Sequence, residues 1–261
     1  MIVREEIDGT LGLISQNDHA LVSGTLAAHW GNVRFSKPTP FDSVVRAAAF
    51  HDRGWIDYEA KPTVDASGRP PNYRDVPLDE NQLRAFMWTG DWLGGIDPYS
   101  GLLAAKHRTG LWQNRYDTIK VPELVNRGTL KAEIKAFIER SELRQHAIEI
   151  GLDPVEVKTN YRLLQIWDMI SLYLCSTATL KPLELGPVPL SYGTSEQVVL
   201  KLQPINATTI AVSPSPFDLP SVTVGFVYKT VSMQPYADSE AFREDYFKAP
   251  LKFAQFELVA G

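Results

Sequence analysis

The chain contains a single cysteine, Cys175, so no intrachain disulfide can form, which fits a reducing compartment. It also lacks a basic excess: 26 Lys and Arg stand against 31 Asp and Glu, for a formal net charge of −5. That balance leaves no electrostatic footprint for duplex nucleic acid. Long apolar runs are missing too. The longest, Leu163 to Leu180, is interrupted by Gln165, Asp168, Ser171 and a Ser-Thr-Ala-Thr tail, which suits a buried core helix better than a membrane span. The opening Met1-Ile2-Val3-Arg4-Glu5-Glu6 carries charges where a secretory signal needs an apolar stretch, so the expectation is a cytoplasmic protein without a membrane partner. Gly90, Gly94 and Gly95 lack the Gly-X-Gly-X-X-Gly spacing, which excludes a dinucleotide fingerprint. No internal repeat or low-complexity segment appears.

What remains is an ordinary globular composition, 44% hydrophobic and 22% charged over 261 residues, enough to bury a core in one large domain or a domain with an appendage. Residues 2–14 read as a hairpin turning at Asp8-Gly9. Ser15, with Asp18 three residues on, resembles a capping box opening a helix that runs to His29-Trp30-Gly31. A second helix, Phe41 to Phe50, ends in His51-Asp52 and breaks at Gly54. Residues 60–78 hold Pro62, Pro70, Pro71 and Pro77 and read as a lid or site-lining loop. Helices resume at Asp79, at Asp97-Pro98, over Thr129 to Ile150, and from Pro154 to Cys175. Beyond residue 182, β-branched runs at 198–202, 209–212, 222–228 and 251–258 read as an antiparallel sheet, joined to the body through the N-terminal hairpin. The expected organisation is a helical domain over 1–181 and a β-rich extension over 182–261.

The chemistry centres on His51-Asp52. A neutral imidazole beside a carboxylate offers one borderline and one hard ligand to a divalent cation. Of the five histidines, His19, His29, His51 and His107 lie on or beside helices, whereas His146 sits in a charged surface helix. At a rise of about 1.5 Å per residue, His19 and His29 stand about 15 Å apart, so only one of them can join His51 around an ion. His29, beside Trp30-Gly31, suits a helix-end carbonyl cap. The six tryptophans suit a core. Asp168 is the only charged residue between Arg162 and Lys181. A carboxylate in such an apolar helix needs a partner, because unpaired burial is costly.

The set His19, His51-Asp52 and Asp168 resembles the HD-domain superfamily of metal-dependent phosphohydrolases: one histidine, an adjacent His-Asp at the end of the next helix, and a late buried aspartate. The chain is also similar, over nearly its full length, to an uncharacterised bacterial family of unknown function. That likeness rests on Met1-Ile2-Val3-Arg4, His29-Trp30-Gly31, His51-Asp52-Arg53-Gly54-Trp55, Asp97-Pro98-Tyr99 before His107, and Trp167-Asp168 before Ser171-Leu172. The HD resemblance implies a mainly α (α+β) fold: an all-α core in an HD-like bundle, with an N-terminal hairpin and a C-terminal antiparallel sheet. It also implies one or two divalent transition ions (Mn, Fe, Ni or Zn) on His19, His51, Asp52 and Asp168. His107 would be a second-ion ligand or a phosphate contact. Many HD enzymes have a lysine where this chain has Trp55, so the cation for phosphate would come from Arg53, Lys106 or Arg108. The leading expectation is hydrolysis of a phosphoester of a nucleotide or another small phosphorylated metabolite, with Asp52, His107, Arg53 and Lys106 in catalytic roles. A di-iron oxygenase and a non-catalytic metal-stabilised ligand-binding module are the alternatives, and a homo-oligomer is compatible with the sequence.

Overall fold

The computed structural model describes residues 1–76, 80–112 and 132–261. The chain opens with β1 (Ile2–Glu5) and β2 (Thr10–Ile14), turning at Gly9, whose φ of 78° carries no Cβ penalty in glycine. α1 (Gln16–Ala28) is capped by Ser15, whose hydroxyl oxygen accepts from the Asp18 amide at 2.9 Å. Next come α2 (Phe41–Phe50), a short α3 (Trp55–Glu59), α4 (Glu80–Ile96), α5 (Pro98–Trp112), α6 (Ala132–Glu149) and α7 (Pro154–Cys175). Asp97 and Asp153 cap α5 and α7 through backbone amides. The chain closes with β3 (Leu183–Pro189), β4 (Gln197–Pro204), β5 (Thr209–Ser213), β6 (Ser221–Ser232), α8 (Ser239–Lys248) and β7 (Lys252–Ala260). Among the described residues, no helix is long and apolar enough to cross a membrane.

The expected mainly helical, HD-like bundle with an all-α core is not what forms. Among the described residues, seven strands make one sheet in the order β1-β2-β6-β7-β5-β4-β3. The sheet is mixed rather than antiparallel, because β7 inserts between β6 and β5 and runs parallel to β5. The N-terminal hairpin does join the C-terminal strands, through β2 and β6. The fold is therefore α+β. Its largest apolar cluster interleaves Leu26, Val44, Leu102 and Trp167 from helices with Leu200, Ile210, Val224 and Leu258 from strands. The physical reason is alternation: Val222, Val224 and Phe226 point one way along β6, and that face closes over α1 instead of building a separate core.

α7 runs through the centre, and every side chain from Leu163 to Leu172 is buried, as expected of a helix enclosed on all sides. Two glycines set how closely its neighbours approach. A Cβ on Gly24 would stand 2.5 Å from the Ala49 Cβ, so glycine lets α1 and α2 cross with His19 near His51. Gly54 has φ −61°, so no left-handed turn requires it. A Cβ there would instead run into the Ala85 carbonyl of α4, while the Gly54 amide donates to Thr89 Oγ1 at 2.8 Å. The sequence's helix break at this point is thus a packing contact that anchors the His51-Asp52 turn against α4.

Candidate metal centre

Four helices deliver polar side chains to one buried point. α1 supplies His19, the turn after α2 supplies His51 and Asp52, α5 supplies His107 and Arg108, and α7 supplies Asp168. The three histidines and two aspartates are each 5% exposed or less. Ligand atoms of His19, His51 and Asp168 lie within 4.8 Å of one another, as do those of His51, Asp52 and His107. Donors bonded to one ion at about 2.0–2.2 Å stand roughly 3–4 Å apart, so either triad needs only slight contraction.

His51 is the most telling member. Its Nδ1 donates to the Ala48 carbonyl at 2.8 Å, satisfying a helix-end oxygen that α2 itself leaves open. A carbonyl only accepts, so a proton belongs on Nδ1, and Nε2 is the ring nitrogen left to face an ion. That Nε2 is buried with no hydrogen bond among the described residues, yet Asp168 Oδ1 stands 3.4 Å away and Asp52 Oδ2 3.9 Å away. Three electron-rich atoms facing one another call for a proton or a metal cation between them. A metal cation also makes use of the flanking imidazoles, whose rings lie 5.3 Å (His19) and 4.5 Å (His107) from that of His51. The donor set, nitrogen and carboxylate oxygen, fits a divalent transition ion.

The surrounding contacts hold these groups in place. His19 lies between Ser171 Oγ at 2.8 Å and Asp52 Oδ2 at 3.1 Å, and Ser23, one turn along α1, donates to the same Ser171. Ser171 in turn donates to the Asp168 backbone carbonyl at 2.8 Å. The other oxygen of Asp52 is bonded by the Arg108 guanidinium, which rests 3.8 Å over the Phe86 ring. The sequence had marked Arg108 only as a cation for phosphate and Ser171 only as part of a motif. Its placement three residues after Asp168 on the buried stretch of α7 is the signal that points to Ser171 as a support.

Burial holds both His19 and His107 down to about 3, so each is neutral at physiological pH. Burial pushes the Asp168 carboxyl upward, but the closeness of the His51, His107 and His19 rings outweighs it and holds the carboxyl below its ordinary range. The unfolded chain takes up protons on these histidines near 6.5, while the folded chain refuses them until about 3. Stability of the metal-free protein is therefore complete above about pH 7 and drains away as pH falls through that window. Urea denaturation in the presence of a chelator should give a lower midpoint at about pH 5 than at about pH 7.5. An unchanged or higher midpoint would contradict neutral burial of the two rings.

The cavity is about 30 Å³, bordered by Gln16, Trp55, Tyr73, Gln82, Phe86 and Arg108 beside the His and Asp side chains. That is room for an ion and a water. Gln16 Oε1 is buried there without a hydrogen bond among the described residues. Tyr73 brings the proline-rich segment to the wall, tied down by its amide to the Met1 carbonyl at 2.9 Å and by Asn72 to the Val3 carbonyl at 2.9 Å. Residues 77 and 78 of that segment, Asp79, and the start of the helix expected over 129–150 lie outside the described residues.

The remaining expected residues sit elsewhere. Lys106 Nζ pairs with Glu149 at 2.6 Å in a separate groove of about 650 Å³ between α5, α6 and α7, which exposed His146 also borders. Arg53 lies 4.5 Å over the Trp92 ring. Neither borders the cavity. His29 caps α1 and meets Asp218 at 3.2 Å. Cys175 is buried, which pushes its thiol up and leaves it unreactive.

Fold and site together define an α+β protein with a buried histidine–aspartate centre on four helices. The family described as "Protein of unknown function (DUF3891)" matches residues 1–233, and the chain belongs to that family. No curated protein and no solved structure matches the chain.

Proposed function

We propose that this protein is a metal-dependent phosphohydrolase, HD-like in its ligand set though not in its architecture, acting on a phosphoester of a small phosphorylated metabolite. The reading rests on one observation: the buried Nε2 of His51 faces Asp168 and Asp52 at 3.4 and 3.9 Å with no hydrogen bond of its own among the described residues. His19, His51, Asp52 and Asp168 would hold the ion, with His107 at its side. A divalent ion in this setting supplies Lewis acidity and an activated water.

The chain's own groups do the rest. Ala48 fixes the tautomer of His51, and Ser171 orients His19. Neutral His107 keeps a lone pair for the ion or for a hydrogen bond inside the buried site. Lys106 and Arg53 lie outside the cavity, so the cation for a phosphoryl oxygen would be Arg108 at its wall, whose planar fork could meet that oxygen while holding Asp52. A cavity of about 30 Å³ admits no phosphoester until its wall of Trp55, Gln82 and Phe86 gives way, so the body of the substrate stays outside.

The same small volume favours a second reading, a metal-stabilised module without catalysis. A panel of phosphomonoesters and nucleotides, assayed for phosphate release with Mn²⁺, Fe²⁺, Ni²⁺ or Zn²⁺, separates the two. Metal-dependent release that a chelator abolishes supports hydrolysis. No release with any ion, alongside a metal-dependent rise in Tm, assigns the module instead.

A further inference from the structure

We infer that Arg108 is a built-in counter-cation that keeps this centre mononuclear. The inference rests on the metal reading above and concerns how many ions the site takes. The two ligand triads, His19-His51-Asp168 and His51-Asp52-His107, share His51. His51 has only Nε2 to offer, because Nδ1 is committed to the Ala48 carbonyl at 2.8 Å. One imidazole lone pair serves one ion. Once His51 has bound with Asp168 and His19, the second triad is reduced, among the described residues, to Asp52 and His107.

A second ion would then depend on Asp52 bridging with both oxygens, and the chain forecloses this. Asp52 Oδ2 faces His19 Nε2 at 3.1 Å, the side of the first ion, while Asp52 Oδ1 is bonded by the Arg108 guanidinium. Arg108 is buried, and its guanidinium is clamped from behind by the Phe86 ring at 3.8 Å and, more loosely, by Trp55 at 6.0 Å. It keeps its charge at any physiological pH. A fixed positive charge thus stands on the carboxylate oxygen that a second cation needs. It neutralises Asp52 and repels another cation, leaving the shared His51 to a single ion. A di-iron centre on these residues is disfavoured by the same contact.

The test is metal stoichiometry, read without reference to turnover. Wild type, Arg108→Gln and Arg108→Lys are each saturated with Mn²⁺ and followed by equilibrium dialysis with elemental analysis, together with the electron paramagnetic resonance spectrum. The folded state of each is checked by circular dichroism. The expected results are one ion per chain in wild type and in Arg108→Lys, which keeps the charge. Arg108→Gln should gain a second, weaker ion, with the spectral broadening of a coupled pair. One ion in wild type and still one in folded Arg108→Gln overturns the role of Arg108 and leaves the metal reading intact. Two ions in wild type overturn it as well, whether or not the variant folds. No ion in wild type overturns both readings.

Discussion

Asp168→Ala should abolish stoichiometric metal binding while leaving the fold in place. Asp168 Oδ1 is the carboxylate oxygen nearest the His51 lone pair, at 3.4 Å, and stands 3.8 Å from His19 Nδ1. Without it the first triad keeps only neutral donors, and the one carboxylate left beside the ion is Asp52, whose charge Arg108 already offsets. Losing a residue that merely orients a ligand costs about 10–100-fold in affinity, so losing the ligand itself should weaken binding by more than about 100-fold. Isothermal titration with Zn²⁺ checks this, and unchanged far-ultraviolet circular dichroism shows that the helices remain. Affinity within a few-fold of wild type would remove Asp168 from the ligand set.

The adjacent residue should behave in the opposite way. Trp167 is fully buried and packs edge-on against Trp30 at 5.7 Å, which in turn meets Phe35 and Phe217. This aromatic stack ties α7 to the end of α1 and, through Phe217, to the loop before β6. Trp167→Ala should therefore cost about 3–5 kcal/mol, the range for truncating a large buried aromatic. Denaturant unfolding at fixed pH would register this as a large drop in midpoint. Because the indole is not a ligand, the folded variant should keep its metal. A loss below about 1 kcal/mol would mean that the stack is not a keystone of the core.

Much of the site was legible because its signals are local. His51-Asp52 lies at a helix end that proline and glycine mark out, and Asp168 is conspicuous as a lone charge between Leu163 and Leu172. The bounds of α2 and α7 follow from the same punctuation. Other features depend on tertiary packing and have no local signature. Lys106, His107 and Arg108 are consecutive, yet the backbone sends Lys106 to Glu149 and Arg108 to Asp52. Their charge alone cannot reveal that division. The sheet was harder still. β3 contains Gly186 and Pro187, which read as breakers, and α8 buries only Phe242, so its periodicity is faint. The parallel pairing of β5 with β7 depends on where α8 returns the chain, and the β-branched pattern of each strand is silent on its partner.

The central claim is that His51 Nε2 and its neighbours form a mixed nitrogen and carboxylate pocket for a single transition ion. X-ray absorption at the metal edge of the Zn²⁺-loaded, desalted protein tests this most directly. The account predicts a shell of nitrogen and oxygen at about 2.0–2.2 Å with the multiple-scattering signature of at least two imidazoles. A chain that retains no zinc after desalting, or a shell of oxygen alone without imidazole scattering, would contradict it.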